Sequence, residues 1–162
     1  MREKRMSRDV REAAATACEA LIFKSGLDRN KSAEAFILTR TLNELVWCYS
    51  GTHEDADKHL GCPWWTERAF QLWETDENWR KGVELEHVVE RKTTIAALLE
   101  CRSGDDVSKI LRRSETCVVL REEHKALPKG DGWARYADIR LVPGPKVRKR
   151  LGTDWPLPPN AN

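Results

Sequence analysis

The chain has 162 residues, of which 40% are apolar and 33% charged, and its net charge is +2. That is enough length to bury a real core, too apolar for a disordered chain and too polar for a membrane protein. Apolar runs are short, as in Ala20-Leu21-Ile22-Phe23, well below the roughly 20 residues a membrane helix needs. The basic start MREKRMSRDVREAAA has no apolar h-region behind it and is interrupted by Glu19, so a helix start is expected there rather than a signal peptide. Five cysteines lie far apart without a CxxC pair, which points to free thiols and a cytoplasmic location.

The first helix is expected from about Arg8 to Lys24, capped by Ser7 and ended by Gly26, with Val10, Ala14, Ala17, Cys18 and Leu21 on its buried stripe. A second is expected from Ser32 to near Tyr49, where Leu38, Leu42, Leu45, Val46 and Tyr49 form the clearest helical period in the chain. The two make a helical hairpin. Pro63 suits the first turn of a helix through Trp73, with Trp65, Ala69 and Trp73 on one face. Four of the seven tryptophans fall between Trp64 and Trp79, and without interleaved basic residues they read as core rather than as a base-stacking platform.

From Val83 the texture changes. Residues 85–89 read as a short strand or an extended turn, followed by a helix over about Lys92–Cys101. Ser103 and Asp106 form a capping pair for the next helix, which carries Val107, Ile110 and Leu111. Cys117–Leu120 is the best strand candidate, followed by a helical turn at Glu122–Leu127, another at Trp133–Ala137 and a strand at Ile139–Val142. The fold class is therefore mainly α with a small β-hairpin element. Residues 1–145 are expected to form one globular domain, helical over 1–82 and α+β over 83–145. Residues 146–162 are expected to form a basic, Pro-rich tail.

Two segments pair a carboxylate with a histidine, Glu86-His87 and Glu123-His124. Histidine is the usual base near neutral pH, and a carboxylate with a second histidine can hold a divalent cation. Phosphodiester hydrolysis needs both parts: a base for water and a metal for the developing charge. Over residues 85–125 the arrangement resembles the His-Me finger (HNH) nuclease family, whose core is a β-hairpin with an acidic-His pair followed by a helix bearing a last histidine. The resemblance implies a C-terminal ββα-like unit in which Glu86 is an acidic metal ligand, His87 the general base and His124 the last metal ligand. The position of the family's central Asn or His falls around Thr116, and no Asn or His lies between His87 and His124. It further implies Mg²⁺ or Mn²⁺ as cofactor and DNA as substrate, in a protein of phage or mobile-element type.

Other polar clusters are weaker. His53 and His59 sit six apart, do not share a helical face, and with the acids between them read as a solvated segment. In Gly132-Trp133-Ala134-Arg135-Tyr136 the aromatics are expected to pack, leaving Arg135 for a phosphate or an acidic partner. Lys146, Arg148, Lys149 and Arg150 form a basic run suited to nucleic acid. Walker, GxGxxG, GxSxG and kinase motifs are absent, as is a helix-turn-helix pattern. The alternative to a nuclease is a non-catalytic inhibitor or adaptor that binds a protein or nucleoprotein complex, for example of the anti-defence or anti-CRISPR kind. The aromatic and Val/Ile content could also cover a dimer interface.

Overall fold

A computed structural model describes residues 2–51, 57–151 and 159, with side chains from residue 9 to residue 150 of that set and at 159. In chain order the elements are α1 (Arg2–Phe23), α2 (Ser32–Gly51), β1 (Trp64–Thr66), α3 (Glu67–Thr75), β2 (Val83–His87), α4 (Arg91–Glu100), α5 (Gly104–Arg112), β3 (Thr116–Leu120), α6 (Arg121–Ala126), β4 (Leu141–Pro143) and α7 (Pro145–Leu151), with 3₁₀ turns at Trp79–Lys81 and Trp133–Tyr136. The fold is mainly α with a small sheet. No helix among the described residues is long and apolar enough to cross a membrane. The chain divides into two compact units, Met1–Glu54 with Val89–Glu115, and Asp55–Val88 with Thr116–Asn162.

The first unit contains α1, α2, α4 and α5. Cys18 of α1 and Leu38, Leu42 and Val46 of α2 meet Leu98 of α4 and Leu111 of α5 in one buried cluster. Their spacing along each helix is the period that turns one stripe inward. Ser103 caps α5 as expected: its hydroxyl accepts from the Asp106 amide at 3.2 Å, while the Asp106 carboxylate accepts from the Arg102 amide at 3.4 Å. Helix α1 begins at Arg2, so Ser7 lies within it and is not its cap. The straight-chain residues Arg2, Glu3, Lys4, Arg5 and Met6 are good helix formers and carry the helix past the expected start. On α2, Phe36 and Ile37 are exposed at 71% and 52%.

The second unit is built on a sheet of order β2-β3-β1-β4. β1 runs parallel to β3, with Trp65 opposite Val118, and antiparallel to β4, with Thr66 opposite Leu141. β2 is antiparallel to β3, with Glu86 opposite Cys117 and His87 opposite Thr116. The pleat sorts these strands into two faces. Trp65, Val83, Val118 and Val142 pack with Phe70 of α3 and with Trp79. Cys117, Val119 and Leu141 pack with Val88 and Tyr136 on the other face.

Three expectations are corrected here. Residues 64–66 are strand, and the helix starts only at Glu67, because Trp64 and Trp65 alternate between the two faces and the Thr66 hydroxyl caps α3 by accepting from the Ala69 amide at 3.2 Å. The last strand is Leu141–Pro143, two residues later than the expected start. The basic run does not begin a loose tail: it forms α7, where Arg148 lies 3.8 Å from the Phe70 ring centre and its Nε donates to the Pro143 carbonyl at 3.2 Å. The expected tail beyond Leu151 lies outside the described residues, except Pro159. Of the four tryptophans between Trp64 and Trp79, Trp65 is fully buried and Trp79 nearly so, their ring centres 5.6 Å apart, while Trp64 and Trp73 are partly buried against the core.

Gly144 joins β4 to α7 where a Cβ would collide with the Cys62 carbonyl and come within 2.8 Å of the Trp65 ring. Because the first obstacle is backbone, relief requires moving the chain. Gly144→Ala is expected to lower stability by about 1–3 kcal/mol, read from denaturant midpoints. The five cysteines are free thiols. Burial raises the Cys18 and Cys62 thiols to about 12 and holds Cys117 well above its usual value. A maleimide added to the native protein is therefore expected to modify exposed Cys48 and spare Cys18, Cys62 and Cys117 until denaturant is added, with labelled peptides as the readout.

Candidate functional site

The polar site lies on the edge strand β2. Glu84 and Glu86 are two residues apart and share the sheet face that carries Val119 and Cys117. α6 follows β3 directly and places His124 against both. Nδ1 of His124 is 2.7 Å from Glu84 Oε2, and Nε2 is 2.9 Å from Glu86 Oε2. Two arginines flank the trio. Arg121 Nε is 3.6 Å from Glu84 Oε1, and Arg135 Nη1 is 3.0 Å from Glu86 Oε1. The His124 ring is 39% exposed and the Glu86 carboxylate 14%, so the site is reachable from solvent at the ring.

Both ring nitrogens of His124 face a carboxylate oxygen at hydrogen-bond distance, and a ring N–H or a cation can fill the Nε2 contact. Two acceptors at 2.9 Å stay together only if a proton or a cation lies between them. Two ligands at right angles on an octahedral ion, each bonded at about 2.1 Å, stand about 3.0 Å apart. The observed separation suits either occupant. Among the described residues there is no group of three or more His, Cys, Asp or Glu side chains that could hold a metal ion. The two carboxylates approach opposite nitrogens of one ring and cannot share a single ion with it.

The expected site residues are distributed as follows. Glu86 and His124 are brought together. His87 is not placed with them: the pleat sends it to the opposite face, beside Thr116, and it is 7% exposed. The hydroxyl of Thr116 lies 3.6 Å from the buried Cys62 sulfur, on that same face. Arg135 is turned inward, only 10% exposed. Lys146, Lys149 and Arg150 are exposed on α7, whereas Arg148 packs on Phe70. An open groove of about 560 Å³ borders Arg135, with Glu122, Glu123, Leu127 and Arg140 among its walls, and Glu86 and His124 do not line it. Sequence reasoning missed Glu84 and Arg121. The signal for Glu84 was present: Val83-Glu84-Leu85-Glu86 alternates at strand period, but a strand begun at Leu85 leaves Glu84 out.

The other histidine cluster is partly described. His53, Glu54, Asp55 and Ala56 lie outside the described residues. Asp57 and His59 are not a solvated pair. Their side chains are 23% and 14% exposed, Asp57 is bridged by Arg80, and the His59 ring meets the edge of Trp79. The loop turns inward because the Asp57 carboxylate accepts from the His59 and Leu60 amides at 2.9 and 3.1 Å.

No family model matches this sequence, and no curated protein or solved structure matches it.

Burial holds the His59 imidazole below its ordinary value of 6.5. The unfolded chain therefore gains a proton near pH 6.5 that the folded chain does not yet accept, so stability is full above that pH and falls as the pH drops below it. Burial tends to raise the Asp57 carboxyl, but the Arg80 hydrogen bond and the two loop amides outweigh it and leave the group below its ordinary value of 3.8. Its contribution disappears only in stronger acid. Melting temperatures across this range are expected to fall from about pH 6.5 downward in the wild type. In His59→Gln the first part of that decline should be missing.

Proposed function

We propose that this protein is a divalent-metal-dependent endonuclease that hydrolyses DNA phosphodiester bonds, with Glu86 and His124 as its protein ligands. The observation that carries the reading is the close approach of Glu86 Oε2 and His124 Nε2, 2.9 Å apart, in a strand–strand–helix unit of β2, β3 and α6. Glu84 supports it by fixing the ring from the Nδ1 side, as carboxylates commonly do behind a metal-bound histidine. Mg²⁺ and Mn²⁺ suit such a site, because Mg²⁺ is usually held by one or two protein groups together with substrate phosphate and water. When bound, the ion supplies stabilisation of charge on the phosphate and the leaving oxygen. Arg121, 58% exposed beside Glu84, offers a positive charge to the substrate backbone. The exposed lysines and arginine of α7 add to the attraction for DNA. Five free thiols suit a reducing cytoplasm.

His87 is buried on the other face of β2, so its proposed part is to support the strand rather than to take a proton from water beside Glu86. Supercoiled and linear DNA, and RNA, are to be incubated with the protein under Mg²⁺, Mn²⁺ or EDTA. Cleavage of DNA with metal and none with EDTA is expected. Glu86→Gln and His124→Ala should lose at least about 100-fold, in line with removal of a directly charge-stabilising group. His87→Gln should retain most of the rate when its melting curve shows a folded protein. A folded wild type that cuts nothing under any metal would overturn the proposal.

One observation favours the second reading, a non-catalytic adaptor or inhibitor: α2 exposes two large apolar side chains in sequence, Phe36 and Ile37. In that case Phe36→Asp should abolish capture of a partner protein while leaving the fold intact.

A further inference from the structure

Glu86 needs something that holds its carboxylate edge toward the His124 ring, and the neighbouring arginine is built for that task. The Arg135 side chain is 10% exposed. Its Nη1 donates to Glu86 Oε1 at 3.0 Å and lies 3.5 Å from the His87 carbonyl, while its Nε donates to the Pro128 carbonyl at 2.9 Å. A guanidinium is planar, and its donors point in fixed directions, so two anchors set the position of the whole group. The backbone that carries it is itself pinned to β2. Gly132, at φ +89°, donates to the Val88 carbonyl at 2.9 Å immediately before the 3₁₀ turn that contains Arg135. The two oxygens of Glu86 are thereby divided, Oε1 to Arg135 and Oε2 to His124.

We propose that Arg135 is a positioning residue that fixes the Glu86 carboxylate for His124, and not a contact for nucleic acid. Its effect on a bound cation rests on the nuclease reading. The order Arg135–Glu86–His124 does not. The remaining charged groups at the ring, Glu84 and Arg121, act on the Nδ1 side, so a change at Arg135 is felt at Nε2 first.

The test uses the full chain, metal-free, with ¹⁵N-labelled histidine at one fixed pH, comparing wild type, Arg135→Gln and Arg135→Lys. Arg135→Gln is expected to move the His124 Nε2 resonance and leave Nδ1 in place. Arg135→Lys has one ammonium and cannot serve Glu86 and Pro128 with a planar fork, so it should shift Nε2 the same way but less. Should Arg135→Gln fail to fold, Arg135→Lys decides alone. An unmoved Nε2, or equal movement of both nitrogens with a lowered melting temperature, would overturn the proposal. DNA cleavage separates the two claims. A wild type that cuts nothing under any metal sinks the nuclease reading and leaves the ring shifts to decide this one. If the wild type binds Mn²⁺, Arg135→Gln should weaken that binding about 10–100-fold, as loss of an orienting partner does. A role in holding DNA would show instead as a salt dependence of DNA binding reduced by about one phosphate contact, with the His124 ring unchanged.

Discussion

Glu123 carries a carboxylate that is only 7% exposed, where an unpartnered charge would cost several kcal/mol. It is compensated by hydrogen bonds: Oε2 accepts from the Thr66 hydroxyl at 2.6 Å and from the Leu120 amide at 3.0 Å. Thr66 uses the same hydroxyl oxygen to cap α3. One acid therefore ties together the first turns of α3 and α6, which leave the sheet from the parallel neighbours β1 and β3. His124 is the next residue along, so its place over β2 follows from this bond. Removing the acid would leave the Thr66 and Leu120 donors to find water at a buried position.

The polar row on β2 is organised by alternation of acidic and basic side chains. Arg121, Glu84, His124, Glu86 and Arg135 succeed one another so that each carboxylate has a base on both sides. Exposed pairs of this kind contribute little stability singly, and the Arg121–Glu84 contact at 3.6 Å is of that sort. The inner half differs, because Glu86 and Arg135 are mostly withdrawn from water and hold each other more firmly. The row thus grades from a stiff inner end to a loose outer end. Such grading suits a site whose inner groups must be placed and whose outer groups must meet a ligand. The same charges lie on an edge strand, where they discourage pairing with another chain's strand.

Helix periods were legible in the sequence because each of α1, α2 and α5 buries one stripe, and the stripe is written in the spacing of Leu38, Leu42 and Val46 or of Val107 and Leu111. The strands were less so. Residues 64–66 carry only two tryptophans and a threonine, and the decision between strand and helix rests with partners far along the chain at Val118 and Leu141. Local periodicity holds no record of them. At the site, the pairing of an acid with a histidine at 86 and 124 could be suggested from residue type. The separation of Glu86 from His87 could not be read until β2 was known to be a paired strand, since only the pleat puts sequence neighbours on opposite faces. Arg135 shows the same limit from the other side: its composition reads as a surface cation, and the turn at Gly132 makes it an internal one.

The pairing scheme of the sheet bears on how the protein comes to be made. β1 pairs with β3 and β4, and β2 with β3, and the whole of α4 and α5 intervenes between β2 and its partner. Among the described residues, no pair of neighbouring strands is a hairpin closed by a short turn. A chain emerging from the ribosome therefore presents Trp64, Trp65 and the edge of β2 well before β3 exists to receive them, and β4 arrives later still. These strand pairings are distant in sequence, so closure of the intervening loops must precede any gain from pairing, which slows formation of the sheet. During that interval the tryptophan-rich segment is an exposed apolar surface on a nascent chain, the kind of surface that chaperones hold.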